Sequence, residues 1–329
     1  MCRMVMTDNY FGESPNEMNS VVEKFDLPEM MHELSVLIGV FNIGDWIPWL
    51  ASLDLQGYVK RIKALCVKQD SFLDYVIDDH LAKRAAGKDD AHEDFVDALL
   101  QIADDPNAEV QITRDSIKGL LVNTLIGGAE TSVTAIEWAI HEILRQPRIY
   151  EGAKQELDTV IGRDRWVEEN DFTQLPYMDA IIMETFRLHP VLPLLGPHCA
   201  TKDCKVAGYN IPKGTTVLIN TWSIGRDVNS WDEAEVFLPD RFLGQHMETT
   251  DDNFSLLPFG SGRRMCPAYK LGLKIFQTAL ANLLHGFELH LDEGTRAEDI
   301  CMEENFGLTT NPKHPLSIVM KPTLPAHLY

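Results

Sequence analysis

Positive charge is what this sequence has least of for its size. Against 50 Asp and Glu stand 29 Lys and Arg, a net charge of −21. That balance excludes a nucleic-acid-binding role, which needs a basic footprint to displace counterions. Cysteine is scarce as well. The six residues, Cys2, Cys66, Cys199, Cys204, Cys266 and Cys301, are scattered, with no C-x-x-C pair. A disulfide scaffold is therefore excluded; free thiols in a reducing compartment are expected, with room for one to have a special task. Long hydrophobic runs are missing too. The longest, near LSVLIGVFNIG, is cut by Asp45 well short of the ~20 residues that a spanning helix needs. The opening MCRMVMTDNYFGE has no apolar core of a secretory leader. As it stands the chain reads as soluble or peripheral. No Gly/Ser- or Pro-rich linker and no fixed-period repeat divides it, so residues 1–329 are expected to form one domain.

What is present is mostly helical grammar. In SFLDYVIDDHLAKR, residues Phe72, Leu73, Val76, Ile77 and Leu81 recur at helical spacing between acids and lysines. The stretch from Arg114 to Gln146 is far longer than the usual ~11–12-residue helix, and its apolar middle marks it as buried. IYEGAKQELDTVIG and PYMDAIIMETFRLHP read as further helices, the second closed by His189-Pro190. Then the pattern changes. KVAGYNIPKGTTVLIN predicts a hairpin about Pro212-Lys213-Gly214. AYKLGLKIFQTALANLLHGF returns to helix, and FGLTTNPKHPLSIVMKP predicts another short hairpin. The fold class expected is mainly α with a small β part.

Four constellations carry possible chemistry. Gly127-Gly128-Ala129-Glu130-Thr131-Ser132 sits at the centre of the long helix. Two interior glycines cost roughly 1 kcal/mol each against alanine, and an acid in greasy surroundings needs a partner. Close helix packing with a surface-facing Glu130 is the plain account. A widened turn that admits a ligand, with Glu130 and Thr131 handling protons, is the sharper one. Glu184-Thr185-Phe186-Arg187 puts an acid and an arginine on one helix face. Phe237-Leu238-Pro239-Asp240-Arg241-Phe242 is a stiff turn that offers a second arginine or a plain surface loop. In LLPFGSGRRMCPAY, Gly260 and Gly262 allow close backbone approach, Arg263 or Arg264 could meet an anion, and Cys266 lies just before a helix, where thiolate is favoured.

In this order, and over essentially the whole chain, these motifs resemble the cytochrome P-450 family of haem-thiolate monooxygenases, the fold expected here without its N-terminal portion. The resemblance implies haem b with Cys266 as axial iron ligand, Phe259 shielding the sulfur and Gly260 beside it. Arg264 and His198 would face propionates, and Gly127 and Gly128 would leave room for oxygen. It makes Glu130 and Thr131 the proton-delivery pair, and Glu184, Arg187 and Arg241 a buried structural ion-pair network. Substrate contacts are implied at Ala129 and Val133, at Val191 and Leu195 in the segment to Gly196, and at Phe306 and Leu308. The details of LPYMDAIIMETFRLHP, KVAGYNIPKGT and LANLLHGFEL resemble the plant microsomal branch, and FGLTT with the terminal Leu-Tyr its flavonoid 3'-hydroxylase-like or homoterpene-synthase-like members.

The function implied is insertion of one atom of O2 into a small lipophilic secondary metabolite, a flavonoid or other phenolic or a terpenoid. Electrons would come from NADPH through a flavin-containing cytochrome reductase, with Lys270 and Lys274 candidates for docking it. Two departures stand out. Ala268 occupies the place where the family has glycine, and no membrane helix, proline-rich hinge or early sheet precedes Met1-Cys2-Arg3. The chain is thus expected to be the later two-thirds of such an enzyme. The full-length family sits on the cytosolic face of the endoplasmic reticulum by an anchor absent from this chain, which could then be cytosolic. The alternatives are a non-catalytic fragment unable to hold haem and, against the Glu130-Thr131 pair, an O2-independent haem-thiolate isomerase.

Overall fold

The computed structural model describes residues 2–6, 25–87, 94–244, 254–305 and 307–329. The chain gathers into two compact units, Met1–Glu130 and Thr131–Tyr329, and each is described by itself. The 32-residue helix Arg114–Arg145 carries the division within it. Both units are mainly helical, and the strands are short.

In the first unit, helices Leu27–Gly39, Tyr58–Ala85 and Phe95–Asp104 close on the front of Arg114–Arg145. The stripe Phe72, Leu73, Val76 and Ile77 is buried, with Leu121 and Leu125 in the same core. Leu81 departs from the expected stripe and is 40 % exposed, because the neighbouring His80 takes the inward position. Outside this core, Lys118 reaches Asp70 at 2.7 Å and Asp74 at 2.8 Å, and Arg114 reaches Asp74 and Asp78 at 2.8 Å each. Hydrogen bonds from Lys118 and Arg114 hold the Asp74 carboxyl below the usual carboxylate range.

Asp94 closes a capping box with Asp97 at the start of Phe95–Asp104 and also accepts from buried His80, whose Nε2 lies 2.9 Å away. The other ring nitrogen, Nδ1, donates to the carbonyl of Val76 at 2.8 Å. Both nitrogens therefore face acceptors, and both bonds form only on the imidazolium. Burial pulls the ring's ionisation down. The Asp94 bond, the Val76 carbonyl and the charges of Asp94 and Asp97 outweigh it, leaving the pKa above its ordinary 6.5.

In the second unit, the rear of Arg114–Arg145 packs with helices Pro147–Val160, Pro176–Leu188 and Tyr269–Gly286 around Ile143, Leu157, Ile181, Phe276, Leu280 and Leu284. Among the described residues the strands pair antiparallel in twos. β1 (His198–Cys199) pairs with β4 (Thr216–Val217), β2 (Cys204–Val206) with β3 (Tyr209–Ile211), β5 (Phe287–Leu291) with β8 (Ile318–Pro322), and β6 (Glu304–Asn305) with β7 (Asn311–Pro312). The first hairpin is not where its sequence pointed. It turns at Ala207-Gly208, both at positive φ (48° and 88°), as a two-residue hairpin demands. Pro212–Gly214 instead joins β3 to β4, which lies in a different sheet. The tail forms one hairpin, β6–β7, and sends β8 back to β5.

A group whose folded pKa is raised contributes stability that is full below the unfolded value and lost as pH rises through the folded one. Urea denaturation of the protein and of His80→Gln across pH 5.5 to 9 tests this. The gap between them should narrow as pH climbs past His80's raised ionisation; a gap constant with pH would refute the charged pairing.

Candidate functional site

The site is built on a buried arginine. Arg187, on Pro176–Leu188, has no exposed surface and uses all five of its N–H donors. Nε and Nη2 grip the Glu184 carboxylate at 2.7 and 2.8 Å. Nη1 donates to the carbonyls of Gly225 and Ala234 at 2.5 and 2.7 Å, and Nη2 to that of Val236 at 3.0 Å. Glu184 Oε1 also accepts from the backbone N–H of Leu238 at 2.6 Å and from Arg241 Nε at 3.2 Å. A Cβ on Gly225 would stand 2.2 Å from the carbonyl oxygen of Arg187, so the approach admits only glycine. Phe237 and Phe242 are buried, which makes their turn part of the core rather than a surface loop.

Phe186, next to Arg187 in sequence, carries this rigidity to the cysteine loop. Its ring meets Phe259 and Phe276 edge-on, both at 5.3 Å. Beyond Phe259 the chain turns through Gly260 and Gly262 at φ +72° and +69°, the left-handed region that side chains resist. The N–H of Cys266 then donates back to the carbonyl of Phe259 at 2.9 Å, and the thiol is half-buried and free. Ala268 sits at φ −100°, ψ 20°, outside the left-handed region, so a methyl is accommodated there without strain. The helix begins at Tyr269, three residues after the thiol.

Beside Cys266 in sequence, and on β1, are groups that lack partners. Arg263 and Arg264 are exposed and make no ion pair among the described residues. The Nδ1 of His198 is buried with no hydrogen-bond partner. Leu195, itself at φ 50°, lies 3.6 Å from where a Cβ of Gly260 would be, which brings the Val191–Gly196 segment against the cysteine loop. A free thiol, cations without partners and an orphaned ring nitrogen suit a planar, anionic, metal-centred cofactor. The fit is good.

The loop after β6 is tied to the same segment. The N–H of Thr310 donates to the carbonyl of Val191 at 3.0 Å. Trp138 Nε1 donates to Thr310's carbonyl at 2.7 Å, and Thr134 Oγ1 to Asn311 Oδ1 at 2.5 Å. Trp138 stacks on His189 at 4.2 Å and 7°, and His189 Nε2 lies 2.8 Å from Glu142 Oε1. Thr221 Oγ1 donates to the carbonyls of Leu192 and Pro193, each at 3.0 Å. Sequence reasoning missed Thr134, Trp138, Glu142, His189 and Thr221. A tryptophan, a histidine and an acid crowded into the apolar run AIEWAIHEIL was the available signal. Of the proposed contacts, Leu308 is half-buried and Val133 is 62 % exposed; Phe306 lies outside the described residues.

Gly127, Gly128, Ala129 and Glu130 belong to the first unit and Thr131 and Cys266 to the second. Gly127 is exposed, and a Cβ there would meet nothing within 4 Å. Glu130 is half-buried and accepts a hydrogen bond from Ser35 Oγ on Leu27–Gly39, a partner that the sequence did not disclose. Lys274 is already paired with Glu169 at 2.6 Å.

Comparison with known proteins bears on the chain as a whole. The profile of the family described as Cytochrome P-450 matches residues 2–318. Trimethyltridecatetraene synthase of Zea mays is 46 % identical over 309 residues, 88 % of this chain and 56 % of that protein. Flavonoid 3'-monooxygenase of Arabidopsis thaliana is 42 % identical over 306 residues, 91 % of this chain and 59 % of the relative. The chain thus spans less than two thirds of these relatives' length. A zebrafish cytochrome P-450 structure with abiraterone superposes with a TM-score of 0.76 at 27 % identity, covering 98 % of this chain and 69 % of that one.

Two substitution pairs separate what is built in from what is decoration. Glu184→Gln leaves Arg187 buried beside a neutral group and should cost about 3–5 kcal/mol in urea denaturation. Arg148→Gln, which removes the exposed pair with Asp240 at 2.6 Å, should leave the denaturation midpoint nearly unchanged, because solvent screens the pair. In the loop, Gly260→Ala or Gly262→Ala should cost about 1–2 kcal/mol by thermal denaturation, from the left-handed backbone. Ala268→Gly should change stability far less.

Proposed function

Because the chain belongs to the cytochrome P-450 family, we propose that it holds haem b through the Cys266 thiolate and acts as a monooxygenase on a small lipophilic plant metabolite. The observation that carries this reading is the cysteine loop: a free thiol set by glycine-only turns and braced through Phe186 by the Arg187 network. Arg264 and the orphaned His198 Nδ1 would take the anionic edge of the cofactor, and Phe259 would shield the sulfur from solvent. Bound through thiolate, haem supplies the O–O cleavage chemistry general to the family.

The chain's own residues do the rest. Glu130, steadied by Ser35, would hold a proton at its carboxylate and pass it through the Thr131 hydroxyl. Gly127 and Gly128 would leave the space in which dioxygen and its protons meet. Ala129, Val133, Val191, Leu195 and Leu308 offer apolar side chains, which select a lipophilic substrate and exclude water. The relatives' names point to two classes, homoterpenes and flavonoids, and both belong in the screen. Electrons would come from NADPH through a flavin reductase, with exposed Arg263 and Lys270 open to an acidic partner surface; Lys274, engaged by Glu169, is a weaker candidate.

A carbon-monoxide difference spectrum of the reduced, haem-supplemented protein tests the assignment. A strongly red-shifted Soret band that Cys266→Ser abolishes is expected. Failure to take up haem, or a band that survives Cys266→Ser, would overturn it.

A further inference from the structure

We propose a second metal site, for a zinc-type divalent ion, formed by Cys301, Glu303 and His314 beside the β6–β7 hairpin. Their ligand atoms, one sulfur, one carboxylate oxygen and one imidazole nitrogen, all lie within 4.8 Å of one another. Zinc bonds of about 2.0–2.3 Å set tetrahedral ligand atoms roughly 3.3–3.8 Å apart. Closing onto an ion thus needs side-chain shifts of about an ångström. Glu303 and His314 are exposed and turn freely, while half-buried Cys301 gives the site a fixed corner.

The backbone is already arranged for it. β6 and β7 pair Glu304 with Pro312 and Asn305 with Asn311, and the N–H of Lys313 donates to the carbonyl of Glu303 at 2.8 Å. The pairing therefore extends past the strands and holds Glu303 against the Lys313-His314 step. The donor set chooses the metal. Sulfur, nitrogen and one oxygen suit zinc and its borderline neighbours; calcium and magnesium want oxygen throughout. Three protein ligands leave the fourth position to water, and the thiol proton goes to solvent as the Cys301–metal bond forms.

The occupant to be displaced is the ammonium of Lys313, 2.5 Å from Glu303 Oε2. Both side chains are more than half exposed, at 51 and 64 %, so their attraction is weak and a divalent ion with two further ligands outcompetes it. Among the described residues the other such grouping is His80, Asp94 and Asp97. There both imidazole nitrogens are engaged and Asp94 caps a helix, so that cluster is satisfied without an ion. At Cys301 the ion would join the chain before β6 to the chain after β7. It would staple the base of the loop that carries Leu308 and Thr310, the latter already bonded to Val191.

The test is equilibrium dialysis of the EDTA-stripped full chain against Zn2+, with cobalt substitution to read thiolate-to-metal charge transfer. One ion per chain is expected. Cys301→Ser or His314→Ala should weaken binding by at least the ~10–100-fold that loss of a supporting partner costs, and Cys301→Ser should remove the charge-transfer band. Lys313→Gln should tighten binding several-fold by removing the competing ammonium. Exposed Cys199 lies elsewhere, so Cys199→Ser should leave affinity unchanged. Wild-type binding no tighter than that of Cys301→Ser, or a Lys313→Gln affinity at or below wild type, overturns the site. None of these readouts depends on haem or on the proposed reaction.

Discussion

Everything near the cysteine loop depends on Arg187 being buried with no donor left over. A charged guanidinium taken wholly out of water is tolerable only when each N–H finds an acceptor and the charge finds its opposite. Glu184 supplies the charge, and three backbone carbonyls fill the remaining donors. Because those carbonyls belong to Gly225, Ala234 and Val236, the irregular chain between the sheets and the cysteine loop is fixed without regular secondary structure. The pair adds little net stability of its own, since desolvation consumes most of the attraction. What it adds is specificity, for one chain path satisfies the arginine and the alternatives strand it.

The rigidity passes outward by contact. Phe186 touches both Phe259 and Phe276, so the arginine's helix, the cysteine loop and the helix after it share one aromatic joint. On the other side, Trp138 reads the position of His189 by stacking and that of Thr310 by a hydrogen bond. The segments that the proposed substrate would touch, Val191–Gly196 and the loop before β7, are thereby referred to one helix. A pocket built of loops can be selective only if its loops share a rigid reference, and Trp138 with Glu142 and Thr134 provides it.

How legible was this from sequence? The helices were, because their apolar stripes repeat at helical spacing and their ends carry proline and glycine. Glu184 and Arg187 were visible as an acid and an arginine at i, i+3 on one helix face, but their place in a buried network with Arg241 came from the family resemblance, and only the structure shows the carbonyls that complete Arg187. The cysteine loop was legible through glycines that left-handed backbone requires. The β2–β3 turn was not: Ala207 at positive φ gives no residue-type signal, so Pro212–Gly214 drew the eye instead. Ser35 and the Trp138 stack depend on contacts between distant segments, which no local pattern encodes.

Ala268 shows why residue type alone misleads at such a loop. The family resemblance leads one to expect glycine there, and alanine then suggests a strained cofactor seat, yet the backbone lies outside the left-handed region and the residue is exposed. The strain that glycine relieves sits upstream, at Gly260 and Gly262. The electrostatics follow the same local logic. In a chain of net charge −21, Arg263 and Lys270 are exposed cations within four residues of Cys266 in sequence. Against the acidic reductase surface proposed above, the net negative charge would repel at long range and these two cations would attract at contact, a combination that favours one docking orientation over others.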